Sequence, residues 1–478
     1  MIEPSLIIAI VFVLYMIGML GIGLHASRRT KNLYDFFLAN RTLGHWVVAL
    51  SSTASSESGW AILGTVGLAY SDGLSAWWFM PGCLIGYAFN WTFVASKLRK
   101  RSRLYDSVTI PDYLETHFDD RSHSIRIIAV IIIFLFMMGY VAAQLTAVGK
   151  AFDAIFHIPY CWSIIGGGAV IIIYTLLGGF RAVAWTDLIQ GLLMALGLII
   201  LPIAALFKVG GLSALYEQLH TTNPGILSLT AGKGGAVLIG SIVGLLGIGL
   251  GYPGQPHVVT RFMAARDDIT IRQGRIIALV WGFIIYSGAI VLGLTGRILF
   301  PALADAEYLF PKAATLLLPA AVSGLMLAAI MAAIMSTADS QLLVAASSIV
   351  RDLCEKTFQK NMPEKKSLML SRITILILGL CSIIFALTKV RMIFWFVLFS
   401  WSGLGASFGP LILLTLYWPR VNRWGAITGM IIGCAVTILW KITGLSDSII
   451  YELVPAFFLS GLTIIAISIL TEKKSKIK

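Results

Sequence analysis

Residues 51–59 read SSTASSESG and residues 247–256 read GIGLGYPGQP, and both stretches interrupt long apolar runs that would otherwise suit a bilayer-crossing helix. A hydrocarbon layer of about 30 Å asks for about 20 consecutive apolar residues per helix. The first stretch offers six hydroxyl residues and a glycine where Leu and Ile would serve, and the second offers four glycines and two prolines. Proline removes a backbone donor and clashes with the preceding turn, while glycine tolerates any φ, so regular helix is expected to fail around 253–256. Broken backbone at membrane depth survives only where protein or a polar cavity satisfies its N–H and C=O groups. Secondary transporters use such breaks as binding sites, with half-helix N-termini facing anionic groups and freed carbonyls facing cations. One break alone would fit a harmless kink or close packing through small residues. Two breaks, opening units of five helices at 44–206 and 234–417, favour a substrate site.

Composition sets the class. With 58% hydrophobic and 12% charged residues among 478, the chain reads as an all-α polytopic membrane protein. Hydropathy predicts about thirteen helices, near 5–26, 44–70, 76–96, 124–149, 159–178, 183–206, 234–256, 276–299, 313–348, 369–387, 392–417, 424–442 and 449–470. They form one transmembrane unit over 1–478: a peripheral helix 5–26, a first repeat 44–206, a second repeat 234–417 and extra helices within 424–470. The first segment has an acidic start and no small-residue cleavage site, so it is expected to be retained rather than removed as a signal peptide.

The net charge of +13 points to topology rather than to nucleic acid, for which no binding module is visible. With the N-terminus outside, all but Lys150, Lys208, Lys233, Arg297, Lys312, Lys389, Arg391 and Lys441 of the 36 lysines and arginines fall in cytoplasmic loops. That predicts an outside N-terminus, a cytoplasmic C-terminus and an odd number of helices. Five cysteines without paired spacing suggest neither a disulfide framework nor a metal cluster.

Three carboxylates fall within apolar runs: Glu57, Asp187 in WTDLIQ and Asp339 in MSTADSQLL. Each costs about 3 kcal/mol at mid-bilayer even on lenient insertion scales, so each is expected to face an ion, a substrate or a proton path. On a helix Ser336, Asp339 and Ser340 share a face and Thr337 turns to the adjoining one. Hydroxyls and carbonyls without soft ligands suit a hard cation such as sodium. Hydroxyls bonding back to carbonyls one turn earlier are the plainer alternative, which leaves Asp339 without a partner.

The motifs ASSESGW (54–60), GGFRAVAWTDLIQ (178–190), GLGYPGQPHVVTRFMAA (249–265) and AAIMSTADSQLLVAASS (332–348), with the early TKNLYDFFLANRTLG and the late SWSGLGASFGPLILLTLYW, give the chain its resemblance to the sodium:solute symporter family. It is most similar to the bacterial sodium/proline permease branch. The resemblance implies a leucine-transporter-type fold with a five-plus-five inverted repeat. It implies one sodium site from the carbonyls of Ala54, Glu57 and Ala333 and the hydroxyls of Ser336 and Thr337. It implies a second, found in some members, from Asp187 with Ser336, Asp339 and Ser340. Substrate would lie between Ser58–Gly59 and the region from Tyr252 to Pro256, with Tyr140 as a neighbour; Gln255 and His257 also match the motif, with no role beyond shaping the break and its cytoplasmic exit. Three departures stand out: Ser56 where the proline permeases carry an aspartate, Glu57 where that branch is apolar, and Ile248 where a pocket tryptophan is expected.

Glu57 therefore has three readings. It replaces the missing charge near sodium, carries a coupling proton, or binds a cationic portion of a different substrate. A carboxylate without a partner in low dielectric tends to protonate. The expected function is secondary active symport by alternating access, with sodium influx driving uptake of proline or a related small amino acid across a bacterial inner membrane. Alternatives are proton coupling through Glu57, sodium-coupled symport of another small solute, and a transporter-like membrane sensor. A channel would want a continuous polar lining, and an enzyme a nucleophile with a base or a metal-ligand set. Neither is evident, and neither a cofactor beyond the coupling ion nor an obligate protein partner is implied.

Overall fold

The computed structural model describes residues 3–27, 33–358, 362–388 and 392–475. Arg28, Arg29, Lys31, Lys360, Lys389, Arg391, Lys476 and Lys478, all used above to orient the chain, lie outside these residues. Among the described residues every extended element is a helix, and ten helices are long and apolar enough to cross a membrane. The chain is a multi-pass membrane protein.

The shortfall against thirteen has local causes. The 44–70 span divides into α2 (His45–Ser56) and α3 (Thr65–Asp72), following the peripheral α1 (Pro4–Ser27). Between α2 and α3 the backbone leaves helical geometry at Glu57 (φ −97°, ψ 66°) and re-enters through a wide turn at Trp60–Gly64. The 76–96 span begins as α4 (Phe79–Phe89), widens over Asn90–Val94 and continues as α5 (Ala95–Leu104). After α6 (Ser124–Phe156), the spans expected at 159–178 and 183–206 are two helical stretches that meet at a sharp kink, named together here as α7 (Tyr160–Val209). The loop expected between them shrinks to Gly179, whose φ of +69° only glycine adopts freely. A Cβ there would lie 2.7 Å from the Phe36 ring.

The second half follows the same logic. The 234–256 span is α8 (Gly235–Gly247), a tight turn of helix at Ile248–Gly254 and an extended Gln255 (φ −92°, ψ 105°), before α9 (Pro256–Ala264) starts on its proline. Helix α10 (Asp268–Leu299) follows. The single helix expected at 313–348 is two, Leu309–Leu317 and α11 (Ala320–Ser347), because Leu318 and Pro319 are extended and proline cannot continue the preceding turn. The remaining spans match their hydropathy: α12 (Glu364–Ala386), α13 (Ile393–Tyr417), α14 (Arg423–Ile442) and α15 (Leu453–Ser475). Two short helices, Ile110–Phe118 and Gly211–Thr222, escaped the hydropathy reading because they are amphipathic rather than apolar throughout.

The long α7 is the hub, packing against α1, α2, α6, α10 and α11, while the segment Ile248–Gly254 packs on α13 and α4. Helices α14 and α15 pair with each other outside α13. Some basic residues counted as topology determinants are also structural. Arg41 is buried and donates to the carbonyls of Ser102 (3.0 Å) and Ser107 (2.8 Å). Arg261, placed by hydropathy in a cytoplasmic loop, instead sits on α9 with no exposed surface: nine residues are too few to span, but the helix is packed inside the protein.

At Gly249 the second break meets α4 backbone to backbone. A Cβ on Gly249 would lie 2.2 Å from the Gly82 carbonyl oxygen, and one on Gly86 would lie 2.6 Å from the Gly249 Cα. Gly249→Ala is expected to destabilise the protein by about 1–3 kcal/mol through overpacking, read as a lower melting temperature in detergent. Gly166→Ala, where a Cβ meets nothing within 4 Å, serves as the control; equal melting of the two variants would contradict this contact.

Candidate functional site: the paired helix breaks

The first break exposes carbonyls that a continuous helix would consume, and side chains from α6 and α11 take them up. The Ala54 carbonyl accepts from Ser336 Oγ (2.9 Å) and Thr337 Oγ1 (3.3 Å), and the Ser55 carbonyl from Thr337 Oγ1 (3.0 Å). Both hydroxyls also reach the Ala333 carbonyl, at 3.2 and 3.3 Å. Ala54, Ala333, Ser336 and Thr337 are thus brought together, all buried, as a set of hard oxygen atoms spanning α2 and α11. Such oxygens turn from mutual hydrogen bonding to cation ligation by rotating hydroxyl protons outward. The fifth expected member, the Glu57 backbone carbonyl, lies at the C-terminal cap of α2, and the side-chain carboxyl of the same residue is bonded elsewhere.

Beyond the break, the Gly59 N–H donates to Gln144 Oε1 (3.0 Å), and Gln144 Nε2 donates to Ser58 Oγ (3.0 Å). The Ser56 carbonyl accepts from the Trp60 indole (3.0 Å) and from the Tyr140 hydroxyl (3.4 Å). Tyr140, expected beside the substrate, is thus a neighbour of the break. Gln144 was missed; its only signal was a lone amide in an apolar run.

The carboxyl of Glu57 points into tyrosines. Its Oε1 accepts from Tyr87 (2.8 Å), Tyr252 (2.8 Å) and Ser56 (3.2 Å), and Tyr286 follows at 3.2 Å from the Tyr252 hydroxyl. Its Oε2 has no hydrogen-bond partner, and the residue has no exposed surface. Tyr252 belongs to the second break, so this carboxylate ties the two breaks directly. Trp401 of α13 lies edge-on to Tyr252, with centroids 4.8 Å apart, and donates its indole N–H to the Ile248 carbonyl (3.1 Å). An indole is thus supplied from another helix where Ile248 replaces the expected tryptophan. Ile248 itself lines a cavity of about 300 Å³ together with Leu68, Asp72, Lys233, Trp395 and Tyr451. Gln255 donates to the Trp401 carbonyl (2.9 Å), which holds the extended residue between Gly254 and Pro256. The His257 ring lies edge-on to Tyr140, at 6.1 Å.

The remaining carboxylates find different company. Asp187 Oδ2 accepts from Ser51 (2.6 Å), Ser55 (3.3 Å) and the Arg261 guanidinium (3.0 Å). Arg261 also donates to Ser51 (3.0 Å), to Ser340 Oγ and to the His257 carbonyl. Asp187 and Ser340 are gathered around an internal cation, while Ser336 stays with the first set. Asp339 accepts a long bond from Ser340 Oγ (3.4 Å), and its Oδ2 has no partner among the described residues. Tyr87 and Tyr286 carried no sequence signal that separates them from packing residues, whereas Ser51 lay in the 51–59 stretch and Trp401 in the SWSGLGASFGPLILLTLYW motif without an individual role.

Residues 36–433 match the family model described as the sodium:solute symporter family. The chain belongs to that family. The symporter-family chain is 38% identical to the high-affinity proline transporter PutP of Bacillus subtilis, over 96% of its own length and 97% of that protein's. It is 36% identical to the sodium/proline symporter of Escherichia coli, over 98% and 93%. Its fold resembles that of a sodium-coupled sialic acid symporter in a substrate-bound outward-open state, with a TM-score of 0.80 and 22% identity over 97% and 98% of the two chains. The hydantoin-binding transporter Mhp1 is more distant, at a TM-score of 0.55 and 13% identity over 91% and 94%. These relatives are transporters rather than enzymes, and the fold is of the leucine-transporter type.

Removing one member of a buried ion pair strands the other. Asp187→Asn and Arg261→Gln are each expected to cost about 3–5 kcal/mol, with most of the loss recovered in the double variant. Thermal denaturation of the four purified proteins checks this; additive losses would mean that the pair is not coupled.

Proposed function

We propose that this member of the sodium:solute symporter family imports proline or a closely related small amino acid on an inward sodium gradient, by alternating access. The observation that carries the reading is the convergence of Ala54, Ala333, Ser336 and Thr337 across α2 and α11. An ion bound there favours one relative arrangement of the two helices. It thereby presents the segment Ser58–Gly59 opposite Tyr252–Pro256 for the solute. The solute carboxylate is favoured by half-helix dipoles at the breaks. The names of the relatives supply proline as the leading solute. In this reading the halves 44–206 and 234–417 are the inverted repeats, the N-terminus is outside, the C-terminus is cytoplasmic, and the cavity at Lys233 and Ile248 is the outer approach.

Asp187 and Ser340 hold Arg261 in place of a second sodium, so this reading assigns one sodium per cycle while that pair is closed. Proton coupling at Glu57 is the second reading, supported by its bare Oε2. Sodium compensation at that residue is the weaker account, since its carboxyl bonds to tyrosines and to Ser56 and to nothing on α11.

Uptake of radiolabelled proline into proteoliposomes is expected with an inward sodium gradient and not without one; accumulation on a proton gradient alone would transfer coupling to Glu57. Coupling by differential affinity is reciprocal, so proline must tighten sodium binding at equilibrium, and independent affinities would defeat the mechanism. Ser336→Ala is expected to raise the half-saturating sodium concentration by about tenfold or more, the value of a lost ligand to a charged partner, as read from sodium-dependent tryptophan fluorescence.

A further inference from the structure

We infer that Glu57, within its ring of tyrosines, receives the protonated nitrogen of the transported solute, and that the solutes are therefore small compounds carrying a cationic nitrogen. The inference rests on the symport reading and names the chemistry that the site selects.

A fully buried carboxylate needs compensation, and neutral hydroxyls supply only part of it. Tyr87, Tyr252 and Ser56 all bond to Oε1 and leave Oε2 without a donor. Among the described residues no lysine, arginine or histidine pairs with Glu57, whereas the buried Asp187 has Arg261 and the buried Glu307 has Lys150. Glu57 is thus a buried acid whose cation is not part of the chain.

The surroundings choose among cations. The Tyr87 ring stands 4.7 Å from that of Tyr252 and 6.5 Å from that of Tyr286, Tyr252 stands 4.8 Å from Trp401, and Tyr286 stands 5.4 Å from Phe79. Phenol rings at a carboxylate, packed in turn on Trp401 and Phe79, favour an alkylammonium, whose charge is spread over polarisable C–H and N–H groups. A bare sodium ion prefers a shell of hard oxygens, and that shell is built from Ala54, Ala333, Ser336 and Thr337. The donor that now holds Oε1 from the second break is Tyr252. An incoming N–H that takes over this bond replaces a link between the two breaks with one made through the solute. The way in runs from the cavity at Ile248, past Trp401, which touches both Ile248 and Tyr252.

Three compounds separate nitrogen from carboxylate: proline carries both charges, pyrrolidine keeps only the cationic nitrogen, and N-acetylproline keeps only the carboxylate. In proteoliposomes given an inward sodium gradient, pyrrolidine is expected to inhibit proline uptake by the wild type and N-acetylproline is not. Glu57→Gln is expected to raise the half-saturating proline concentration by about tenfold or more, with Glu57→Asp intermediate. Sodium binding measured by fluorescence in the absence of solute should stay as in the wild type, which also shows that the variant is folded. Inhibition by N-acetylproline as strong as by pyrrolidine, unchanged half-saturation in Glu57→Gln, or loss of its solute-free sodium binding would each overturn the inference. Should the wild type fail to take up proline at all, the solute named under the function reading is wrong. Thermal stabilisation of the purified wild type by pyrrolidine and other small ammonium compounds, absent in Glu57→Gln, then still decides the inference, and no stabilisation by any of them rejects it.

Discussion

Inside a bilayer a freed backbone carbonyl has no water to turn to, and the architecture follows from how this chain answers that need at Ala54 and Ser55. The answer is Ser336 and Thr337, reached across the interface between α2 and α11. Because those hydroxyls come from α11, the break fixes where that helix runs. Because the end of α2 must also accommodate Glu57, it fixes which aromatic residues of α4 and α10 face inward. One local failure of helix geometry thus organises partners from four other elements, counting the Gln144 of α6.

The chain carries several solutions to the cost of a buried acid. Asp187 is neutralised by an arginine held on a short helix that hydropathy reads as a loop. Glu307 accepts from Lys150 and caps the start of α13 through the N–H groups of Ile393 and Phe394. Glu57 is met by phenols, and Asp339 by a single serine. The first two resemble fastenings, with opposite charge built in. The last two keep unused acceptor capacity, the property expected of groups that interact with something that comes and goes.

Much of this was legible in the sequence, and what was not shares one physical cause. Helix positions and both breaks followed from hydropathy and from Gly and Pro chemistry, which act locally. The hydroxyls of Ser336 and Thr337 stood out by residue type, while their grouping with Ala54 and Ala333 came from the family resemblance. Errors came where tertiary packing overrides local composition. Arg261 looks like a loop charge until α2 and α7 are seen to bury it. Tyr87 and Tyr286 look like ordinary aromatic residues until the Glu57 carboxyl is seen between them. The 313–348 helix was drawn through Pro319 because its flanks are uniformly apolar, a case in which hydropathy outweighed a backbone signal already present.

The bare contact of Gly249 with Gly82 and Gly86 bears on how such a molecule moves. Sliding between packed helices normally proceeds by small adjustments of interleaved side chains. Here, at Gly249, main chain rests on main chain, the buried Tyr252 ring fills the space beside it, and the same broken segment is pinned on its other side by Trp401. The second break, α4 and α13 therefore form a stiff plate. The joint between α2 and α11 is filled instead by the hydroxyls of Ser336 and Thr337, whose protons can turn without moving either backbone.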